Sequence, residues 1–148
     1  MTELAPTQRS KRPEFRNINA FKDLTTYHMP PAAWVSILHR ASGVIMFVLM
    51  PFIIWMLDSS ISSEISFEKF KAAFNAGMLG VPGFFWKLIA LALVWSYLHH
   101  FIAGLRHLWM DVNHAAVNKE FGKNSALVTL VTSIVVTVLF GAKLFGLY

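Results

Sequence analysis

The chain has 148 residues, of which 55% are hydrophobic and only 14% are charged. This composition is too apolar for an ordinary soluble domain, and it argues against nucleic-acid binding despite the net charge of +5. The sequence contains no cysteine, which excludes thiolate-ligated zinc, iron–sulfur clusters and disulfides within the chain.

Three long segments are nearly free of charged residues, at about 33–57, 83–110 and 125–147. Each exceeds the roughly 20 helical residues that cross a hydrocarbon core. The sequence therefore predicts an all-α integral membrane fold with three transmembrane helices. We expect residues 1–148 to form a single membrane domain. Its lead-in, residues 1–32, is polar and lacks the apolar centre of a signal peptide.

The first span carries polar residues on one helical face near its start. Ser36, Arg40 and Gly43 are spaced four and three residues apart and therefore align, and His39 flanks them. Arginine stays protonated in proteins, so Arg40 needs an anion, carbonyl groups or water. Snorkelling to the interface is the simpler interpretation of Arg40, but it leaves Ser36 and His39 unexplained. Pro51 lies late in the span and predicts a kink.

The segment between the first two spans contains a predicted amphipathic helix at about 64–76. Phe67, Phe70 and Phe74 recur within it at helical spacing. We expect this helix to lie on the far membrane surface as a structural element. A role as a lid or as a partner site is the alternative.

The second span contains the residues that are most unusual in hydrocarbon, the run His99-His100-Phe101-Ile102-Ala103-Gly104-Leu105-Arg106-His107. Histidine and arginine inside spans usually face the interior of a bundle and have a function. His100 and His107 share one helical face, with Gly104 between them. The missing side chain at Gly104 indicates space for a flat group that accepts a nitrogen ligand.

The spacing of these residues favours different roles for the two histidines. They lie about 10.5 Å apart along the helix axis, which is too far for both to bind one metal atom. The deeper His100 suits an axial ligand of haem iron, and the shallower His107, with Arg106, suits the carboxylates of haem propionates. A hydrogen-bonded packing role is the alternative for His100. His99 points about 100° away from His100 and is predicted to be a helix-contact residue or an interfacial residue.

The distribution of lysine and arginine predicts the orientation of the spans. Basic residues precede the first span and end or follow the second: Arg9, Lys11, Arg12, Arg16, Lys22, Arg106, Lys119 and Lys123. The opposite side carries Lys69, Lys71 and Lys87, diluted by nearby acids. Lysine and arginine accumulate on the cytoplasmic side of membranes. We therefore expect a multi-pass protein of the bacterial inner (cytoplasmic) membrane, with a cytoplasmic N-terminus and a periplasmic C-terminus.

Two segments match known motifs. Ser36-Ile37-Leu38-His39-Arg40-Ala41-Ser42-Gly43 resembles the Ser-x-x-His-Arg-x-Ser-Gly motif of the succinate dehydrogenase cytochrome b556 subunit family. His100-x-x-x-Gly104-Leu105-Arg106-His107-Leu108-x-Met110-Asp111 resembles that family's second motif, and Arg12-Pro13 resembles its N-terminal Arg-Pro. The resemblance covers nearly the whole chain. Glu14 departs from the aliphatic residue that is usual there, which affects an N-terminal partner contact rather than the two motifs.

The resemblance implies a membrane-anchor cytochrome b subunit of respiratory complex II, a succinate:quinone oxidoreductase. Its three helices would form part of a bundle with a second anchor subunit. His100 would be one axial ligand of haem b, and that second subunit would supply the other. Further site residues follow from the same motifs: Ser36 and Arg40 at the ubiquinone site, His39, Arg106 and His107 around the haem propionates, and Asp111 at the quinone site or the contact with the iron–sulfur subunit.

The resemblance also implies partners on the cytoplasmic face. A flavoprotein subunit would hold FAD and an iron–sulfur subunit would hold the clusters, so that electrons from succinate reach ubiquinone through them. The chain would then be a non-flavin subunit that is not catalytic alone. Alternatives are the anchor of a quinol:fumarate reductase, a haem-free structural anchor and a proton-coupled transporter. The choice between ubiquinone and menaquinone stays open, because both present carbonyls to the same donors.

Overall fold

The computed structural model describes residues 19–148, so the Arg12-Pro13 pair and the other early basic residues lie outside the described residues. Within this part of the chain all regular elements are helices, apart from an isolated bridge between Met78 and Val81. The all-α fold predicted from the sequence is confirmed. The helices are α1 (Ala20–Thr26), α2 (Pro31–Val48), α3 (Met50–Ile61), α4 (Glu64–Asn75), α5 (Gly83–Val112) and α6 (Lys119–Leu144), with a short 3-10 turn at His114–Ala116.

Three of these helices are long and apolar enough to cross a membrane, namely α2 with 18 residues, α5 with 30 and α6 with 26. The prediction of three transmembrane helices is therefore confirmed. Helix α5 is central, because it packs against both α2 and α6, and those two also contact each other. The three long helices thus form one small bundle.

The first predicted span is interrupted at one residue, Leu49, which separates α2 from α3. Pro51 has no amide hydrogen for the carbonyl of Phe47, and its ring crowds that carbonyl. The Leu49 amide still donates to the Ile45 carbonyl at 3.0 Å, and the Leu49 carbonyl accepts from the Ile53 amide at 3.0 Å. Helical hydrogen bonding therefore continues on both sides of the interruption.

Small residues allow α5 and α6 to pack closely against each other. The buried positions of α6 recur every three or four residues and are Ala126, Thr129, Ser133, Thr137 and Gly141. A Cβ atom on Gly141 would lie 3.1 Å from Leu91 Cδ1, so glycine lets α5 approach closely. Small residues commonly allow such close approach between helices in membranes.

Helix α4 packs across the end of the bundle, within the segment predicted to be amphipathic. It begins with a capping box in which Ser63 Oγ accepts from the Ser66 amide at 3.1 Å. Its aromatic side chains continue a layer from α3, with Phe70 6.2 Å from Trp55 and 5.1 Å from Phe74 between ring centroids. This layer holds α4 against α3 and α5. The location of α4 on a membrane surface stays a prediction.

A single glycine sets the contact between the end of α4 and the start of α5. A Cβ atom on Gly83 would overlap the carbonyl of Phe74 and lie 2.9 Å from that of Asn75. We expect Gly83→Ala to force these backbones apart and to destabilise the folded chain by about 1–3 kcal/mol. Thermal unfolding of the purified complex measures the effect. The control is Gly122→Ala, because a Cβ there meets no atom within 4 Å; equal melting temperatures for the two variants would contradict the prediction.

Candidate functional site

The polar residues of the first two spans meet where α2 packs on α5. The imidazole of His39 stacks on that of His100, with ring centroids 4.1 Å apart and planes inclined by 28°. The same ring lies 5.4 Å from that of His107. The histidine of α2 therefore lies beside both of the α5 histidines that sequence spacing placed on one face.

The orientation of the His100 ring is determined by α2. Its Nδ1 atom lies 3.0 Å from the His39 carbonyl oxygen and 3.2 Å from Ser42 Oγ. The Ser42 hydroxyl donates its hydrogen to that same carbonyl at 2.8 Å. Because a carbonyl only accepts, His100 Nδ1 is the protonated nitrogen, and Nε2 carries the lone pair. No hydrogen bond joins His100 Nε2 to any residue from 19 to 148.

A histidine held in this way is prepared to bind a metal. Histidine ligands in metalloproteins usually donate one ring N–H to a carbonyl or carboxylate, which fixes the tautomer and directs the other nitrogen at the metal. The described residues contain no group of three or more side chains that could hold a metal ion by themselves. His100 could therefore supply one ligand to a metal whose remaining ligands come from elsewhere.

The Ser42-Gly43 pair of α2 makes room for this ring. Ser42 is fully buried, and a Cβ atom on Gly43 would lie 3.2 Å from His100 Cε1 and 3.5 Å from Nδ1. A larger residue at position 43 would push the imidazole off its hydrogen bond. Sequence reasoning noted Ser42 only as part of a motif, although its position three residues after His39 places both on one helical face.

The gap at Gly104 is occupied by a side chain of this protein. A Cβ atom on Gly104 would lie 3.8 Å from His39 Nε2, so the His39 ring covers the space that the sequence assigned to a flat ligand. His39 Nε2 is buried and has no hydrogen-bond partner among the described residues. Buried polar atoms are nearly always partnered. His39 Nε2 is therefore an unusual unpartnered nitrogen, enclosed between α2 and α5 in the described part of the chain.

Ser36 and Arg40 lie one helical turn apart on α2 and are open to a ligand. Ser36 is half-buried and Arg40 is exposed. Neither side chain forms a hydrogen bond or an ion pair within residues 19–148. The guanidinium of Arg40 is therefore a positive charge without a counter-ion in this part of the protein.

Arg106 and Asp111 lie on the α6 side of α5, whereas the three imidazoles lie at the α2 contact. Arg106 Nε donates to Ser125 Oγ at 2.8 Å, and Nη2 donates to the Gly122 carbonyl at 3.2 Å. Both residues line an open groove of about 880 Å³ between α5 and α6, together with Trp109. Arg106 thus holds the start of α6 against α5 through two hydrogen bonds. The sequence analysis did not identify this contact.

His99 connects α5 to α6 from the centre of the bundle. It is fully buried, its Nδ1 lies 3.2 Å from Ser133 Oγ, and its ring stacks on Trp95 with centroids 5.5 Å apart. The predicted role in helix contact is confirmed. By fixing the rotation of α5 against α6, His99 keeps the next residue, His100, turned toward α2.

The sequence was compared with known proteins. Residues 8–140 match the family described as the succinate dehydrogenase/fumarate reductase transmembrane subunit. The succinate dehydrogenase cytochrome b556 subunit of Coxiella burnetii is 34% identical over 80% of this chain and 90% of its own length. The cytochrome b560 subunit of Porphyra purpurea is 32% identical over 73% and 86%, respectively. The cytochrome b556 subunit of Paracoccus denitrificans is 28% identical over 69% and 73%.

The contact between Arg106 and α6 generates a stability prediction. Arg106→Met removes both hydrogen bonds from a charged donor, each of which contributes about 1.5–3 kcal/mol. We expect the melting temperature of the purified complex to fall by several degrees. Lys123→Met is the matched control, because Lys123 is exposed and also lies near the start of α6. An unchanged melting temperature for Arg106→Met would show that the contact is dispensable.

Proposed function

Since this chain belongs to the succinate dehydrogenase/fumarate reductase transmembrane subunit family, we propose that it is the haem b-binding anchor of a succinate:quinone oxidoreductase. The chain is a cytochrome b membrane subunit of such a complex, as its motifs predicted. The observation that supports the proposal most is the arrangement of the His100 ring. Its Nδ1 donates a hydrogen bond to the His39 carbonyl, so its Nε2 is the nitrogen available to bind a metal.

We propose that His100 is one axial ligand of haem b and that a second anchor subunit supplies the other. The residues present fit one ligand, because His39 stacks on the His100 ring. In that position His39 would not serve as a second ligand to the metal bound by His100. When bound, haem b supplies a redox centre within the membrane.

His39 and His107 are the proposed partners of the haem propionates, because their rings flank His100 on the side toward the cytoplasmic end of α5. Carboxylates pair with cationic or N–H donors, and His39 Nε2 lacks a partner among the described residues. Arg106 has committed Nε and Nη2 to α6. Its guanidinium is directed to α6, away from the three imidazoles, so we assign the propionates to His39 and His107.

We propose that Ser36 and Arg40 line the ubiquinone site. The Ser36 hydroxyl would donate a hydrogen bond to a quinone carbonyl, and the Arg40 charge would stabilise the negative charge that develops on that oxygen during reduction. Neither side chain has a hydrogen-bond partner among residues 19–148, and the two lie one helical turn apart, which supports this assignment. Asp111, exposed near the end of α5, would support the quinone site or contact the iron–sulfur subunit.

The proposed partners complete the electron path. A flavoprotein subunit with FAD oxidises succinate, and an iron–sulfur subunit passes the electrons to quinone. Both would dock on the cytoplasmic face, where the sequence places most of its lysine and arginine. In this orientation the N-terminus lies in the cytoplasm and the C-terminus in the periplasm of a bacterial inner membrane.

The axial-ligand assignment predicts a spectral change. His100→Leu removes the nitrogen ligand, so the low-spin haem spectrum of the purified complex should be abolished or altered in a reduced-minus-oxidised measurement. His114→Leu, at an exposed histidine in the turn after α5, is the control and should leave the spectrum unchanged. For His100→Gly, added imidazole should restore the spectrum, which separates ligand loss from failed assembly. An intact spectrum in His100→Leu would exclude this residue as the ligand.

The quinone assignment predicts a split between two activities. Arg40→Gln should lower quinone reduction about hundredfold, the usual cost of losing one donor to a developing oxyanion. Succinate oxidation with an artificial acceptor should survive, because that chemistry takes place on another subunit. Arg40→Lys should keep part of the quinone activity. Equal loss of both activities in Arg40→Gln would instead assign Arg40 to assembly of the complex.

A further inference from the structure

A second cluster of charge lies at the opposite end of α5 from Arg106. Here α3, α4, α5 and α6 surround a cavity of about 330 Å³. Lys71 from α4 and Lys87 from α5 both line it, with the amide side chain of Asn75. The rest of the lining is apolar and consists of Met56, Phe70, Phe74, Ala90 and Leu144.

The cavity is positively charged. No acidic side chain lines it. Lys71 forms an ion pair with Glu68 at 2.7 Å, but both side chains are about half-exposed, and exposed pairs of this kind contribute little. Lys87 Nζ lies 5.8 Å from the centroid of the Phe145 ring and has no carboxylate partner among the residues that the structure describes. Two lysines from different helices therefore line one opening.

The apolar lining and the position in the bundle identify the class of ligand. Lys87 lies about one turn inside the start of α5, a membrane-spanning candidate, so its ammonium group lies at the level of the lipid headgroups. Basic pockets between transmembrane helices bind anionic lipid headgroups on the cytoplasmic side of membranes, and the same pairing of ammonium with phosphate is available at the opposite face. A free phosphate ion would contact the lysines but would leave the phenylalanine rings against water.

We propose that this cavity binds an anionic phospholipid. The phosphate contacts Lys71 and Lys87, and an acyl chain packs against Phe70 and Phe74. The lipid links α4 to α5 and so holds the amphipathic helix against the end of the bundle. The site shares no residue with those proposed for haem and quinone, and the proposal is independent of them.

The test uses the complete complex, purified in neutral detergent and stripped of lipid. Dioleoylphosphatidylglycerol is added, and its apparent affinity is read from the rise in melting temperature. Each lysine near a headgroup is expected to contribute about fivefold in affinity, so Lys71→Gln combined with Lys87→Gln should weaken binding about thirtyfold. Lys69→Gln removes the same charge from α4 outside the cavity and should leave the affinity unchanged.

Further arms distinguish the possible occupants. Dioleoylphosphatidylcholine should bind at least tenfold more weakly than the anionic lipid, and sodium phosphate alone should not raise the melting temperature. If the double variant does not assemble, Lys71→Gln alone should show the fivefold loss. The proposal is overturned if the lysine variants bind the anionic lipid as tightly as the parent, as they would if a segment of another subunit filled the cavity. It is also overturned if phosphatidylcholine or phosphate acts equally well.

Discussion

The carbonyl oxygen of His39 accepts hydrogen bonds from both Ser42 Oγ and His100 Nδ1, and the arrangement of the cluster depends on this shared acceptor. The Ser42 hydroxyl donates its hydrogen to this carbonyl, so the hydrogen in the contact between His100 Nδ1 and the carbonyl belongs to Nδ1. The same contact fixes the register of α2 against α5, because it joins a backbone atom of one helix to a side chain of the other. Two glycines lie next to this contact. A Cβ atom on Gly43 would crowd the His100 ring, whereas a Cβ atom on Gly104 would be in ordinary contact with the His39 ring.

Sequence periodicity predicted which residues share a helical face, but not which neighbouring helix each face meets. Ser36, His39 and Arg40 were grouped on one side of α2, and His100 and His107 on one face of α5. The helical repeat of 3.6 residues per turn determines which side chains lie on the same face. Arg106 was grouped with His107 through adjacency in sequence. Adjacent residues on a helix point about 100° apart, and the structure directs the Arg106 guanidinium to α6.

Side-chain packing between helices accounts for what the sequence could not predict. The space above Gly104 is covered by His39, and this depends on the rotamer of a residue 65 positions earlier in the chain. Pro51 predicted a kink close to the interruption at Leu49, but the two helices on either side of it were predicted as one span. The outer faces of α2 and α5 also stay uncovered, with Phe47, Tyr97 and Phe101 more than half-exposed. These apolar faces are exposed within the described part of the chain, as expected for helices that cross a membrane.

The length of α5 has a consequence for how the protein sits in a bilayer. Its 30 residues extend about 45 Å, well beyond a hydrocarbon thickness of about 30 Å. Trp86 and Trp109 lie near its two ends, about 34 Å apart along the axis, which suits the pair of interfaces where tryptophan concentrates. With these two rings as anchors, mismatch is relieved by protrusion rather than by steep tilt. The last turn of α5, which carries Asp111, then extends beyond the hydrocarbon into the headgroup layer.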